Sequence, residues 1–282
     1  MRSYLELTKP KIALLNIATA FTGYLLGGGD SWGLLVLFLI GYLAVGGSSA
    51  INHYLDRDLD ARMSRTSRRP LPSGRIHPPE KALVFGLALL SSSLIVSIIF
   101  FNILTAVFVG LGAAIYLLVY TLWLKRRSVW NIVIGGAAGS CSPLAGWAAA
   151  TGSISTLPLL LALLIFLWTP GHFWSLAMKA SEDYRRARIP MLPAVRDART
   201  TSIMILVSNV ATAASWLGVA LLLPSNLSYL ALTSALTILI IIDSVKLVRH
   251  PESKIAWRIF KASNPWLAAA TFGTLLHIVI GV

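Results

Sequence analysis

Nine apolar runs recur along this chain of 282 residues, near Ile12–Leu26, Trp32–Ile51, Ala82–Phe101, Leu104–Leu124, Val129–Ala150, Leu157–Met178, Ser202–Leu223, Leu227–Ile242 and Trp266–Val282. Crossing the hydrocarbon core takes about 17–25 mostly apolar residues in a helix. Most of the runs meet that length outright, and the first, eighth and ninth need flanking residues to do so. The expectation is an all-α membrane protein with nine transmembrane helices, forming one polytopic domain over residues 1–282. Only 12% of residues are charged, about half of what soluble domains carry, which agrees with a bilayer as solvent.

A net charge of +13 invites a nucleic-acid reading, so the positions of the basic residues decide what the total means. Lys and Arg number 3 before the first run, 7 in residues 52–81, 3 in 125–127, 6 in 179–199 and 5 in 246–261, which is all 24 of them. The intervening turns GGGDS, the one around Asn102, TGSIS and PSN carry none. Basic loops stay cytoplasmic. Nine spans with a cytoplasmic N-terminus and the C-terminus on the opposite side leave no basic loop misplaced. The charge therefore orients helices and meets anionic headgroups, and no nucleic acid is expected. The first run has the basic flank Lys9-Pro10-Lys11, but treating it as a cleaved leader would break this odd parity, so it is read as retained. Cys141, the only cysteine, can form no intrachain disulfide and no thiolate cluster. Asn16, Asn131 and His277, polar residues in apolar runs, are expected to hydrogen-bond between helices.

Two cytoplasmic loops are long, after the second and sixth runs, and they carry the chemistry. In NHYLDRDLDARMSRTSRRPLPSGR, from residue 52 to 75, Asn52, Asp56 and Asp60 are spaced by four. On a continuing helix each step of four turns only about 40°, so the three form one polar stripe, with Asp58 on the other side. Carboxylate and amide oxygens suit a hard cation such as magnesium, which binds through one or two carboxylates plus substrate phosphates. Arg62, Arg65, Arg68, Arg69 and Arg75 follow; Arg65 and Arg69 share a helical face if the helix runs to Pro70, and guanidinium forks match phosphate oxygens. The alternative is a solvated interfacial loop whose aspartates merely balance its arginines.

A second cluster on the same side weighs against that alternative. WTPGHFWSLAMKASEDYRRARIPMLP brings Glu182 and Asp183 beside Arg185, Arg186 and Arg188. His172, Lys179 and Asp183, at spacings of seven and four, would line one face if the helix continues past Pro170. A lone His beside Phe173 and Trp174 is more often a packing residue than a ligand.

These residues resemble the UbiA superfamily of intramembrane prenyltransferases, whose first motif is matched by Asn52, Asp56 and Asp60. The similarity is greatest to its heme-farnesylating group. It rests on LTKPKI, on NHYLDRDLDARMSRTSRRPLPSG, on YTLWLKRRSVWNIVIGGAAGS with PLAGWAAATGSI, and on WTPGHFWSLAMKASEDYRRARIPMLP, which together cover the first six helices. The resemblance implies a UbiA-like bundle around a central lipid-open cavity in the cell membrane. It implies magnesium as cofactor, held by Asn52, Asp56, Asp60 and Asp183, and diphosphate held by Arg65, Arg69 and Lys125. Asp56, Asp60, Asp183 and Lys125 would be the catalytic set, with His172 a candidate for touching heme. Farnesyl diphosphate and heme B would be the substrates, and heme A synthesis or terminal oxidase assembly would lie downstream. The chain departs from the family pattern where Lys179 and Ala187 flank Asp183 in place of further acids, which puts a second magnesium site in doubt, and at Gly171 and Arg188. Rival readings are a different acceptor, such as an aromatic acid or a glycerol lipid, and a transporter. The clustering of ionisable residues at cytoplasmic helix ends weighs against transport.

Overall fold

The computed structural model describes residues 1–222 and 227–280, with the side chains of 227–229, 272 and 274–280 outside the description. Among the described residues every regular element is helical. Nine long helices follow the nine apolar runs: α1 (Pro10–Leu26), α2 (Ser31–Leu55), α3 (Glu80–Phe100), α4 (Ile103–Ala114 and onward to Arg126), α5 (Asn131–Thr151), α6 (Thr156–Lys179), α7 (Ala198–Leu222), α8 (Leu227–Arg249) and α9 (Ser253–Ile280). By length and composition seven of them qualify as membrane spans among the described residues, from α2 to α8. Helix α1 is one of the two outside that group, and its 17 residues are at the lower limit for crossing. The structure thus supports an all-α multi-pass membrane protein, with seven such spans among the described residues and nine long helices in all.

Consecutive helices pack on each other around a ring, and α9 returns to α1, while α1 also packs on α5 and α6 on α9. Apolar side chains gain nothing by leaving lipid for another helix, so close backbone approach has to supply the attraction. The α1–α5 crossing shows how close it is: a Cβ on Gly146 would lie 1.8 Å from the Ala20 carbonyl oxygen, and one on Gly23 would lie 2.1 Å from that of Pro143. Polar contacts supplement this packing. Ser142 donates to Asn16 Oδ1 at 3.2 Å, as the interhelical reading of Asn16 expected, whereas Asn131 donates to carbonyls of Ser128 and Pro190 in flanking loops. The His277 side chain lies outside the described residues, as do residues 224–226 of one expected outer turn.

Helix α4 departs from regular geometry where it approaches the acidic stripe. It runs as α-helix to Ala114, as π-helix over Ile115–Trp123, and tightens to 3₁₀ at Leu124–Arg126. π-Turns are rare and concentrate at functional sites.

Candidate active site

Helix α2 does not continue through the motif as a single stripe. It ends at Leu55; Asp56 is the junction, and a separate short helix spans Arg57–Arg62. The i, i+4 register nevertheless survives the break, since the Asp56 amide donates to the Asn52 carbonyl at 2.9 Å and the Asp60 amide to that of Asp56 at 2.8 Å. Asn52, Asp56 and Asp60 are consequently all buried, at 3%, 0% and 3% exposure, and free carboxylates in such a place require compensation.

Cations from three elements provide it. Lys125, at the end of α4, forms an ion pair with Asp56 Oδ2. Arg69 reaches back to both Asp60 oxygens, at 2.9 and 2.8 Å. Lys9, the left-handed residue preceding Pro10 of α1, donates to Asn52 Oδ1 at 3.0 Å and to the Tyr116 hydroxyl at 3.3 Å. Burial, with Arg69 and Lys125 close by, pushes the Lys9 ammonium down to about 7, and the two aspartates oppose that shift. Sequence reasoning gave Lys9 only a topological role; its place before a helix-opening proline was the available signal. Tyr116 and Tyr120 stack at 6.0 Å on the same side of α4, Lys9 lying over the first ring and Lys125 over the second.

The expected helix from Arg65 to Arg69 is absent. Residues 63–69 form turns, because Met63 is extended and the hydroxyls of this segment bond elsewhere. Thr66 donates to the Asp60 carbonyl at 2.9 Å, and Ser64 donates to the Asp183 carboxylate, 2.8 Å from each oxygen. Such side-chain bonds compete with helix formation. Arg65 instead lies close enough to the Tyr184 hydroxyl to favour its ionised form, while Arg69 serves Asp60, so the two arginines face different partners. The Ser64 contact ties the two long loops together, and that hydroxyl holds the Asp183 carboxyl below the usual carboxylate range.

Asp183 does not share a face with His172 and Lys179. Helix α6 passes through Pro170 unbroken but stops at Lys179, and Asp183 belongs to a separate short helix, Ser181–Arg186. Lys179 lies 3.9 Å above the Trp257 ring of α9. His172 is built into the same α6–α9 seam: its Nδ1 is 2.6 Å from Ser263 Oγ, and its ring stacks on Trp168 at 4.2 Å and tilts against Phe260 at 4.5 Å. Glu182 pairs with Arg185 at the surface, and Asp58, as its register predicted, faces away and pairs with Arg126.

Two observations test whether a hard cation fits. Asp56 Oδ1 is buried with no hydrogen-bond partner, so the stripe has an oxygen to give. Among the described residues no three His, Cys, Asp or Glu side chains converge into a ready-made cage. An ion drawn from one or two carboxylates, an amide and the substrate's own phosphates fits that donor set, as is usual for magnesium. His53 adds a further feature: both ring nitrogens are buried without partners, with Nδ1 4.0 Å from Asp60 Oδ2.

Comparison with known proteins identifies the family. The sequence matches the UbiA prenyltransferase family over residues 16–270. The chain belongs to that family. Among similar proteins, protoheme IX farnesyltransferase 1 of Cenarchaeum symbiosum is 42% identical, with 94% of this chain and 92% of that one aligned. The protoheme IX farnesyltransferase of Symbiobacterium thermophilum is 50% identical over 73% of this chain and 70% of its own. Solved UbiA-fold structures superpose over nearly the whole length. A digeranylgeranylglyceryl phosphate synthase gives a TM-score of 0.74 at 21% identity, covering 97% of this chain and 98% of its own. A UbiA homolog from Archaeoglobus fulgidus bound to GPP and Mg²⁺ gives 0.69 at 18%, covering 99% and 100%. These likenesses establish a UbiA fold for this family member, the enclosing helices of which carry the acidic site at one end.

Proposed function

We propose that this chain transfers the farnesyl group of farnesyl diphosphate to a vinyl group of heme B, giving heme O and diphosphate. The observation that carries the donor half is the Asn52–Asp56–Asp60 cluster, which combines a buried carboxylate oxygen lacking a partner with cations from three elements. The acceptor half rests on the similarity to proteins named protoheme IX farnesyltransferase along most of their length.

A magnesium ion at Asn52, Asp56 and Asp60 would neutralise charge on the diphosphate as it departs. Lys125 and Arg69 do the same work from the protein side, as charges fixed in place before reaction. The allylic C–O bond breaks with both electrons leaving on diphosphate. A heme vinyl group supplies the pair for the new C–C bond, and water then adds to the resulting cation and loses a proton, leaving a hydroxyl. Asp183, with the two loops joined through Ser64, is assigned to the diphosphate end, and Arg65 to diphosphate binding. His172, stacked among Trp168 and Phe260, is assigned to orienting the porphyrin. The acidic motifs face the cytoplasm of a cell membrane in this reading, residues 1–282 act as one domain, and a heme A synthase or terminal oxidase takes the product.

The test is the mass of the extracted heme after purified protein is incubated with heme B, farnesyl diphosphate and magnesium. A gain equal to one farnesyl group plus one hydroxyl group is expected. Unchanged heme, in a preparation that prenylates an aromatic acid or a glycerol lipid, would overturn the acceptor.

A further inference from the structure

We infer that Thr121 is a positioning residue that orients the Asn52 amide and so decides which of its ends meets the cation and diphosphate; this rests on reading Asn52, Asp56 and Asp60 as that site. The argument is one of proton counting. A threonine hydroxyl has a single proton to give. Thr121 Oγ1 gives it to the Tyr116 carbonyl, 2.8 Å away and five residues earlier on the π-helix. Only its lone pairs then remain for Asn52, whose Nδ2 lies 3.1 Å from the same oxygen. A hydroxyl that can only accept makes Asn52 present its NH₂ end. The amide oxygen must point the other way, and it is this Oδ1 that meets the Lys9 ammonium at 3.0 Å.

Asp56 Oδ2 also accepts from Asn52 Nδ2, at 2.7 Å, and favours the same orientation. The Asp56 oxygens, however, are those a cation would claim, whereas Thr121 lies on the far side of the amide from Lys9 and is fully buried, at 1% exposure. The π-helix makes the contact possible. On an α-helix residues five apart are turned about 140° from one another; here the i−5 bond closes a wider turn, which places Thr121 against α2 while Tyr116 meets Lys9. An inverted amide would aim NH₂ at a cation, so loss of the Thr121 acceptor should weaken cation binding through Asn52 alone.

The test uses the full-length protein in detergent with Mn²⁺ in place of Mg²⁺ and a non-hydrolysable farnesyl diphosphate analogue, bound ion being read by electron paramagnetic resonance. Second-sphere partners of metal ligands are typically worth about 10–100-fold in affinity. T121V is expected to raise the Mn²⁺ dissociation constant about 10-fold or more, and T121S to restore it to within about threefold. In an Asn52→Ala background T121V should add almost nothing. Unaltered Mn²⁺ binding in T121V, equal impairment in T121S, or a further 10-fold loss on top of Asn52→Ala would each overturn the assignment. Thermal midpoints recorded alongside exclude a folding defect, since a lowered midpoint with unchanged ion binding also counts against it. Because no heme is present, these outcomes are independent of whether heme B proves to be the acceptor.

Discussion

Lys125 Nζ closes on Asp56 Oδ2 across the α2–α4 seam, joining residues 69 apart in sequence whose side chains are 14% and 1% exposed. Removing one member of so enclosed a pair leaves the other charge stranded, which costs about 3–5 kcal/mol in buried settings. Lys125→Met should therefore lower the thermal midpoint in detergent, and Asp56→Asn combined with it should recover most of the loss. Turnover should not recover: Asp56→Asn alone is expected to cut kcat/KM by about 100-fold or more, because it removes a carboxylate that would hold the magnesium ion, and even outer-sphere partners of a metal are worth about 10–100-fold. Full activity in Asp56→Asn would show that the stripe is only an interface.

The neighbouring pair Arg126–Asp58 provides the contrast. Its two side chains are 39% and 47% exposed, and exposed pairs are worth at most about 1 kcal/mol. The Arg126 hydrogen bond depresses the Asp58 carboxyl, so its small contribution is complete above the ordinary carboxylate value of about 4 and disappears as pH falls through the lower folded value. Asp58→Asn should keep near-wild-type turnover at neutral pH, and the stability gap between it and the wild type should close on acidification below about pH 4. A gap that widens on acidification contradicts this sign.

How much of this site could be read from sequence depends on which local geometry each residue obeys. The spacing of Asn52, Asp56 and Asp60 identified the acidic cluster, and its register survives although the helix breaks at Asp56. The Arg65–Arg69 helix was misread because Ser64 and Thr66 bond to Asp183 and to the Asp60 carbonyl, contacts that arise only once the second loop and the chain reversal are in place. Tyr116 and Thr121 were invisible inside an apolar run: a 3.6-residue period puts them on different faces, and nothing in the run announces a π-helix. Lys9 was explained too easily by the distribution of basic loops, which accounts for its side of the membrane and not for its reach to Asn52.

Helix packing at the α1–α5 crossing predicts a steep local sensitivity. With only 1.8 Å between a Cβ on Gly146 and the Ala20 carbonyl oxygen, Gly146→Ala must push the helices apart, and overpacking of this kind costs about 1–3 kcal/mol. Gly218 on α7 has nothing within 4 Å of its added Cβ, so Gly218→Ala should be neutral or slightly stabilising. Thermal midpoints of the two variants in the same detergent check the difference; equal midpoints would mean that the crossing is looser than the distances state.

His172 allows two roles to be separated spectroscopically. Its Nδ1 is committed to Ser263 and its ring lies against Trp168 and Phe260, an environment made for stacking. An orienting ring is replaceable by another flat ring, at the cost of the hydrogen bond, which is worth about 0.5–1.5 kcal/mol, or roughly 2- to 13-fold in affinity. His172→Phe is therefore expected to raise the KM for heme by a factor in that range while leaving the Soret maximum of bound heme in place. Ser263→Ala, which leaves the ring nitrogen without its partner, should lower the thermal midpoint and leave the Soret maximum in place as well. A maximum that moves in His172→Phe but not in Ser263→Ala would put the imidazole on the iron and remove the orienting role.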